Sequence, residues 1–147
     1  EYERDTAPNG ITMDTSGAGQ KLSPVEIDYN GFFNALQHLI AAVLQACQDS
    51  DGRTAYFDAR ETTNRVELLA WHNGSPLTSA LRDKIEMLFE SGSENSIIDD
   101  IVYGPKLCIV HGLTKINQGR VYLEQNAAGH DVFVISLPLY QERDTIK

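Results

Sequence analysis

Cysteine is scarce in this chain, tryptophan occurs once, and no long apolar run is present. The two cysteines, Cys47 and Cys108, stand far apart, which gives neither a metal-ligand spacing nor a disulfide framework. Both lie in apolar segments and are expected as buried free thiols of a reducing compartment. No stretch approaches the roughly 18 uninterrupted apolar residues of a membrane-spanning helix. Basic residues are few as well: 12 Lys and Arg face 21 Asp and Glu, a formal charge of −9. That balance lacks the basic footprint of a nucleic-acid binder. No internal repeat marks a solenoid or propeller. What remains is a 147-residue chain, long enough for one domain with a sizeable core, and 41% hydrophobic against 22% charged, the composition of a globular domain rather than a disordered one. It begins at Glu1, its first methionine is Met13, and it carries no leader pattern. It therefore reads as a domain cut from a longer, cytoplasmic protein.

Residues 1–27 are polar and rich in Gly, Thr, Ser and Pro, with a possible edge strand over Gly10–Asp14 and loop over Thr15–Gln20. Asp28 or Asn30 can cap a helix to about Gln48, with Phe32, Phe33, Leu36, Leu39, Ile40, Val43 and Cys47 on its buried face. Asp49–Gly52 is a turn. Arg53–Arg60 and Arg65–Trp71 read as a hairpin. After His72–Pro76, Thr78 or Ser79 caps a helix to about Glu90, with Leu81, Ile85 and Leu88 inward. Gly104-Pro105 opens a third helix, since proline suits a first-turn position. Leu107, Val110, Leu113 and Ile116 or Asn117 form its buried face, and Gln118-Gly119 ends it. Arg120–Glu124 and Asp131–Leu137 form a second hairpin, and residues 141–147 a polar tail. Paired strands with helices between them predict an α/β (α+β) two-layer sandwich, a mixed, mostly antiparallel sheet with three main helices on one face.

Three blocks in this order resemble the histidine-kinase-like ATPase (Bergerat-fold) catalytic domain of sensor histidine kinases, over residues 28–140. Phe33-Asn-Ala-Leu-Gln-His-Leu-Ile-Ala-Ala-Val-Leu-Gln-Ala46 resembles the family's asparagine helix. In the register that fits the following turn, His38 and Ala42 replace its two asparagines and Gln45 its basic residue. A second register puts Asn30 and Asn34 in the asparagine places. Trp71-His-Asn-Gly-Ser-Pro-Leu77 resembles the D-x-G-x-G box, with His72 for the aspartate, Gly74 for the first glycine and Pro76 for the second. The segment Gly104-Pro-Lys-Leu-Cys-Ile-Val-His-Gly-Leu-Thr-Lys resembles the glycine-rich helix start, with Gly104 kept and Lys106 in place of a glycine. The exit Gly119-Arg120-Val121 and the ending Val132–Leu139 match the family's closing strands. Ser91–Val102 matches the position of its ATP lid.

The resemblance implies Mg-ATP as cofactor. The partners it implies are the dimerisation and phosphoacceptor domain of a parent two-component signalling protein and, beyond it, a response regulator. It implies no nucleic acid and no direct membrane contact. The residues do not supply what such a site needs. Ala42 has no oxygen for a hard cation. His72 lacks the carboxylate that accepts from the adenine amino group, Pro76 has no N–H, and Lys106 adds a side chain where backbone meets phosphate. Losing two such contacts costs on the order of 3–5 kcal/mol. The expectation is an eroded site in a pseudokinase-type domain, with a regulatory, protein-interaction role. The alternative is a working kinase domain that phosphorylates a histidine on a separate domain. No metal centre and no catalytic residue is predicted. His38 is expected to hydrogen-bond near the sheet, His111 and His130 to lie at the surface, and Trp71 and Tyr103 to flank the pocket.

Overall fold

A computed structural model of the chain describes residues 11–17, 29–91 and 103–139. The order is β1 (Thr12–Gly17), α1 (Tyr29–Asp49), β2 (Thr54–Glu61), β3 (Arg65–His72), α2 (Ser79–Ser91), α3 (Gly104–Ile116), β4 (Arg120–Gln125) and β5 (Asp131–Pro138). The sheet runs β1-β2-β3-β5-β4. Among the described strands only the β1–β2 pair is parallel; β2–β3, β3–β5 and β4–β5 are antiparallel. Among the described residues this is the expected mixed, mostly antiparallel α/β sandwich with three helices. β1 is an edge strand, as expected, but it runs on to Gly17 through residues read as loop, with a register shift between Asp14 and Gly17. Pairing with β2 supplies the order that local sequence did not signal. The expected lid beyond Ser91, most of residues 1–27 and the polar tail 141–147 lie outside the described residues.

Period-2 alternation sorts the side chains of the sheet. Ala55, Ala70, Phe133, Ile135 and Val121 are buried in the main core, which is completed by Leu39, Val43 and Cys47 of α1, Ile85 and Leu88 of α2, and Leu107 and Val110 of α3. The opposite face carries Leu69, Val132 and Val134 with Trp71 and Tyr122 packed on them. Trp71 thus stacks on Tyr56 at 5.2 Å on the face away from the helices and does not flank the pocket as expected. β5 is buried on both sides, which explains its unbroken apolar run Val132–Ile135. On that outer face Arg60 reaches Glu67 at 2.7 Å and Glu124 at 3.1 Å, and the Tyr122 hydroxyl donates to Glu67 at 2.7 Å. Burial pushes the Glu67 carboxyl up, but the Tyr122 and Arg60 hydrogen bonds outweigh it, and its pKa lies below the ordinary value.

Two helix positions differ from the periodic reading. Phe33 and Ile116 are exposed at 47% and 71%, because each points to the outer side of its helix while its neighbour, Phe32 or Asn117, takes the buried face. Asn117, not Ile116, closes the buried face of α3. Cys47 is a buried free thiol, and burial raises its pKa; Cys108 is only half-buried.

α1 and α3 stop by the same device. Gly52 N–H donates to Cys47 O at 2.7 Å and Asp51 N–H to Gln48 O at 3.2 Å. Gly119 N–H donates to Thr114 O at 3.0 Å and Gln118 N–H to Lys115 O at 2.9 Å. These are paired Schellman bonds, with the left-handed residue Asp51 or Gln118, each at φ 62°, where glycine is usual. A side chain in that conformation costs about 1 kcal/mol. Gln118→Gly is therefore expected to stabilise the domain by about 1 kcal/mol, read as a Tm rise of roughly 3 °C.

Candidate functional site

One end of the sandwich gathers five element ends: the C-termini of α1 and β3, the N-termini of α2 and α3, and the start of β5. The β3–β5 register, which pairs Ala70 with Phe133, brings His72 level with Asp131. Here a cavity of about 10 Å³ is lined by Ala46, His72, Gly74, Pro76, His130 and Asp131, among others. That volume suits about one water molecule.

The loop after β3 is tied down on every side. Gly74 N–H donates to His72 Nδ1 at 3.0 Å. Asn73 Oδ1 accepts from the N–H groups of Arg53 (2.8 Å) and Thr54 (3.0 Å). Ser75 N–H reaches Ser50 O at 3.3 Å, and a Cβ on Gly74 would run into the Ser50 side chain and carbonyl. Leu77 N–H donates to Asp131 Oδ2 at 2.7 Å. Thr78 Oγ1 accepts from Leu81 N–H at 3.2 Å, the expected N-cap of α2. One turn into that helix, the Arg82 guanidinium forms an ion pair with Asp131, its Nε at 3.0 Å from Oδ1. The Asp131 side chain is 5% exposed, so the pair is nearly dry.

Burial lowers the pKa of His72, and nearby His130 adds to this while Asp131 opposes it. Its Nδ1 accepts from Gly74, so the neutral ring carries its proton on Nε2. Tyr103, at the N-cap of α3, is buried, and burial together with Asp49 and Asp131 pushes its pKa up to about 12. His130 was expected at the surface; instead its Nδ1 is buried without a hydrogen-bond partner beside the cavity. His111 is half-buried and stacks on Phe89 at 6.4 Å.

Of the positions picked from sequence, His72, Gly74 and Pro76 line this cavity together. Ala42 is 1% exposed and sits in the main core; Ala46, one turn on, is the α1 residue at the cavity. His38 is bonded within its own helix, Nδ1 to Asn34 O at 2.8 Å, and Gln45 donates to Asp49 at 2.9 Å. Gly104 is buried at the start of α3, with half-buried Lys106 two residues on. Among the described residues no group of three or more His, Cys, Asp and Glu side chains is placed to hold a metal ion. At the positions that the resemblance assigns to Mg-ATP, Ala42 is a core residue without a side-chain oxygen, and His72 Nδ1 accepts from Gly74 N–H. The residues missed from sequence are Asp131, Arg82, His130 and Ala46. Their signal was the charged pair His130-Asp131 opening an otherwise apolar strand.

The fold has solved counterparts. The ATP binding domain of PrrB from Mycobacterium tuberculosis superposes with a TM-score of 0.60, over 90% of this chain and 83% of that one, at 18% identity. The catalytic domain of the histidine kinase ThkA, in a nucleotide-free form, gives 0.56 over 86% and 78%, at 19% identity. The chain has the fold of a histidine kinase catalytic domain. No family model and no curated protein matches the sequence. No described helix is long and apolar enough to cross a membrane.

Proposed function

We propose that this chain is the ATPase-like domain of a two-component sensor histidine kinase whose nucleotide site has eroded, and that it acts through protein contacts rather than phosphotransfer. The observation that carries this reading is the state of the box after β3. His72 stands in the carboxylate place, and its Nδ1 accepts from Gly74 N–H. The domain spans residues 28–140 in this reading, works in the cytoplasm, and meets the dimerisation and phosphoacceptor domain of its parent, and through it a response regulator. His38, Ala42, Gln45, Gly104 and Lys106 are then remnant positions of the old nucleotide pocket.

One observation favours a working site: Asp131 puts a buried carboxylate on the same cavity. Both of its oxygens, however, are engaged by Leu77 and Arg82. A thermal-shift titration with Mg-ATP, and Mg-ADP in parallel, separates the readings. A ligand at about 100 times its Kd stabilises by about 2.7 kcal/mol, roughly 5–10 °C in Tm for a domain of this size. The expected result is no shift up to about 10 mM nucleotide. A shift of the full size establishes the working kinase domain instead.

A further inference from the structure

β4 is an edge strand of the sheet, and among the described residues no strand pairs with its outer side. The other edge strand, β1, is interrupted by a register shift, whereas β4 pairs with β5 without a break from Arg120 to Gln125. Proline and bulges are common devices for blunting such an edge, and β4 has neither. The hairpin turn decides which of its backbone groups are free. Asn126 N–H donates to His130 O at 3.1 Å, which makes these two a hydrogen-bonded pair. Bonded pairs alternate along an antiparallel ladder, so Glu124–Val132, Tyr122–Val134 and Arg120–Ser136 are the next three. The N–H and C=O groups of Val121, Leu123 and Gln125 therefore point away from β5.

Beside this edge runs a groove of about 220 Å³, lined by Arg82 and Glu86 of α2 and by Leu123, Glu124 and Gln125 of β4. The cavity next to His72 measures about 10 Å³, so the groove takes a long side chain where that cavity takes a water. Leu123 packs against the main core and gives the groove an apolar floor. Two of the charges are already matched: Arg82 by Asp131, and Glu124 by Arg60. Half-buried Glu86 has no ion-pair partner among the described residues. Glu90 is exposed one turn further along the same side of α2.

We propose that the β4 edge and this groove form a docking site for an extended, basic segment of a partner protein, which adds a strand to the sheet and lays a lysine or arginine against Glu86. Main-chain hydrogen bonds to Leu123 and Gln125 hold the segment, and its alternate side chains fall on the α2 side of the sheet. The aliphatic stem of the basic residue covers Leu123 while its charged end reaches Glu86. The formal charge of −9 draws in a partner of the same description, and an acidic segment would meet unmatched carboxylates instead.

The site lies at the sheet edge and uses none of the residues of the box after β3, so its failure leaves the kinase-like reading untouched. The test is NMR of the isotope-labelled full chain with blocked peptides six residues long, the length of β4, in which valine alternates with lysine or with glutamate. In the free protein the Leu123 and Gln125 amides are expected to exchange with solvent much faster than the paired amide of Tyr122. The lysine peptide at about 1 mM is expected to shift both open-edge amides and to slow their exchange. A fully N-methylated lysine peptide keeps the charges but cannot donate to the edge, and it is expected to leave them unprotected, as is the glutamate peptide. Glu86→Gln is expected to weaken the lysine peptide roughly two- to fivefold. Slow exchange of Leu123 and Gln125 in the free protein, which would mean that the edge is already covered, overturns the proposal. So does a lysine peptide that leaves both amides unmoved, equal binding of the N-methylated or glutamate peptide, or an unchanged affinity in Glu86→Gln.

Discussion

Asp131→Ala is expected to lower the unfolding free energy by about 3–5 kcal/mol, the cost of leaving one partner of a buried ion pair without the other. At this chain length that is a fall in Tm of roughly 10–15 °C, measurable by calorimetry. Three contacts converge on this carboxylate. Leu77 N–H would lose its acceptor, the Arg82 guanidinium would remain 26% exposed with nothing to pair it, and the loop between β3 and α2 would be held from one side only. The ion pair itself is not the source of stability. Replacing both ends with apolar groups, as Asp131→Val/Arg82→Met, is expected to recover most of the loss, because well-packed hydrophobic residues often equal or exceed a buried pair. A double variant as unstable as Asp131→Ala would mean that the Leu77 hydrogen bond, rather than the unpaired charge, sets the penalty.

The second large effect lies at the opposite end of the sandwich. Gly119 follows the left-handed residue that ends α3, and its own backbone is not what requires glycine there. A Cβ at this position would lie 2.8 Å from Ser136 O, and 2.9 Å from both Leu137 Cδ2 and Thr114 Cγ2. The first of these is main chain of the interior strand β5 and cannot swing aside. Gly119→Ala is accordingly expected to cost about 3 kcal/mol, at the upper end of overpacking penalties, by parting α3 from β5. Urea unfolding would register this as a lower midpoint at unchanged slope. Gly112, on the open side of the same helix, meets nothing within 4 Å when given a Cβ, so Gly112→Ala serves as the control that leaves packing intact and improves helix propensity.

These two sites mark how far the sequence could be read. The helices, both hairpins and the Thr78 cap follow from local periodicity and turn chemistry, and they stand within a residue or two of where those rules put them. The fold class followed from their order. What local rules missed is what depends on pairing between distant segments. The register that sets Ala70 against Phe133 decides that Asp131 and His72 share a cavity and that Trp71 turns to the far face. No window of sequence contains both strands. Likewise Thr15–Gly17 extends β1 because β2 lies alongside it, against its own loop-like composition. His130 looked like a surface residue because it follows the turn residues Asn126–Gly129. Its ring nitrogen is buried because the loop after β3 folds over it.

The strand order gives the cavity a further meaning. β2 and β3 form one local hairpin and β4 and β5 another, and only the β3–β5 pairing joins them, bringing Arg65 opposite Pro138. His72 and Gly74 come from the first hairpin's side of that seam, His130 and Asp131 from the second. The cavity is thus absent from either half alone and closes only when the two dock. Because such long-range pairing is entropically late relative to hairpin closure, the Asp131–Leu77 hydrogen bond is a marker of the final step of assembly. In kinetic terms, substitutions at Asp131 are expected to speed unfolding while leaving the rate of folding nearly unchanged.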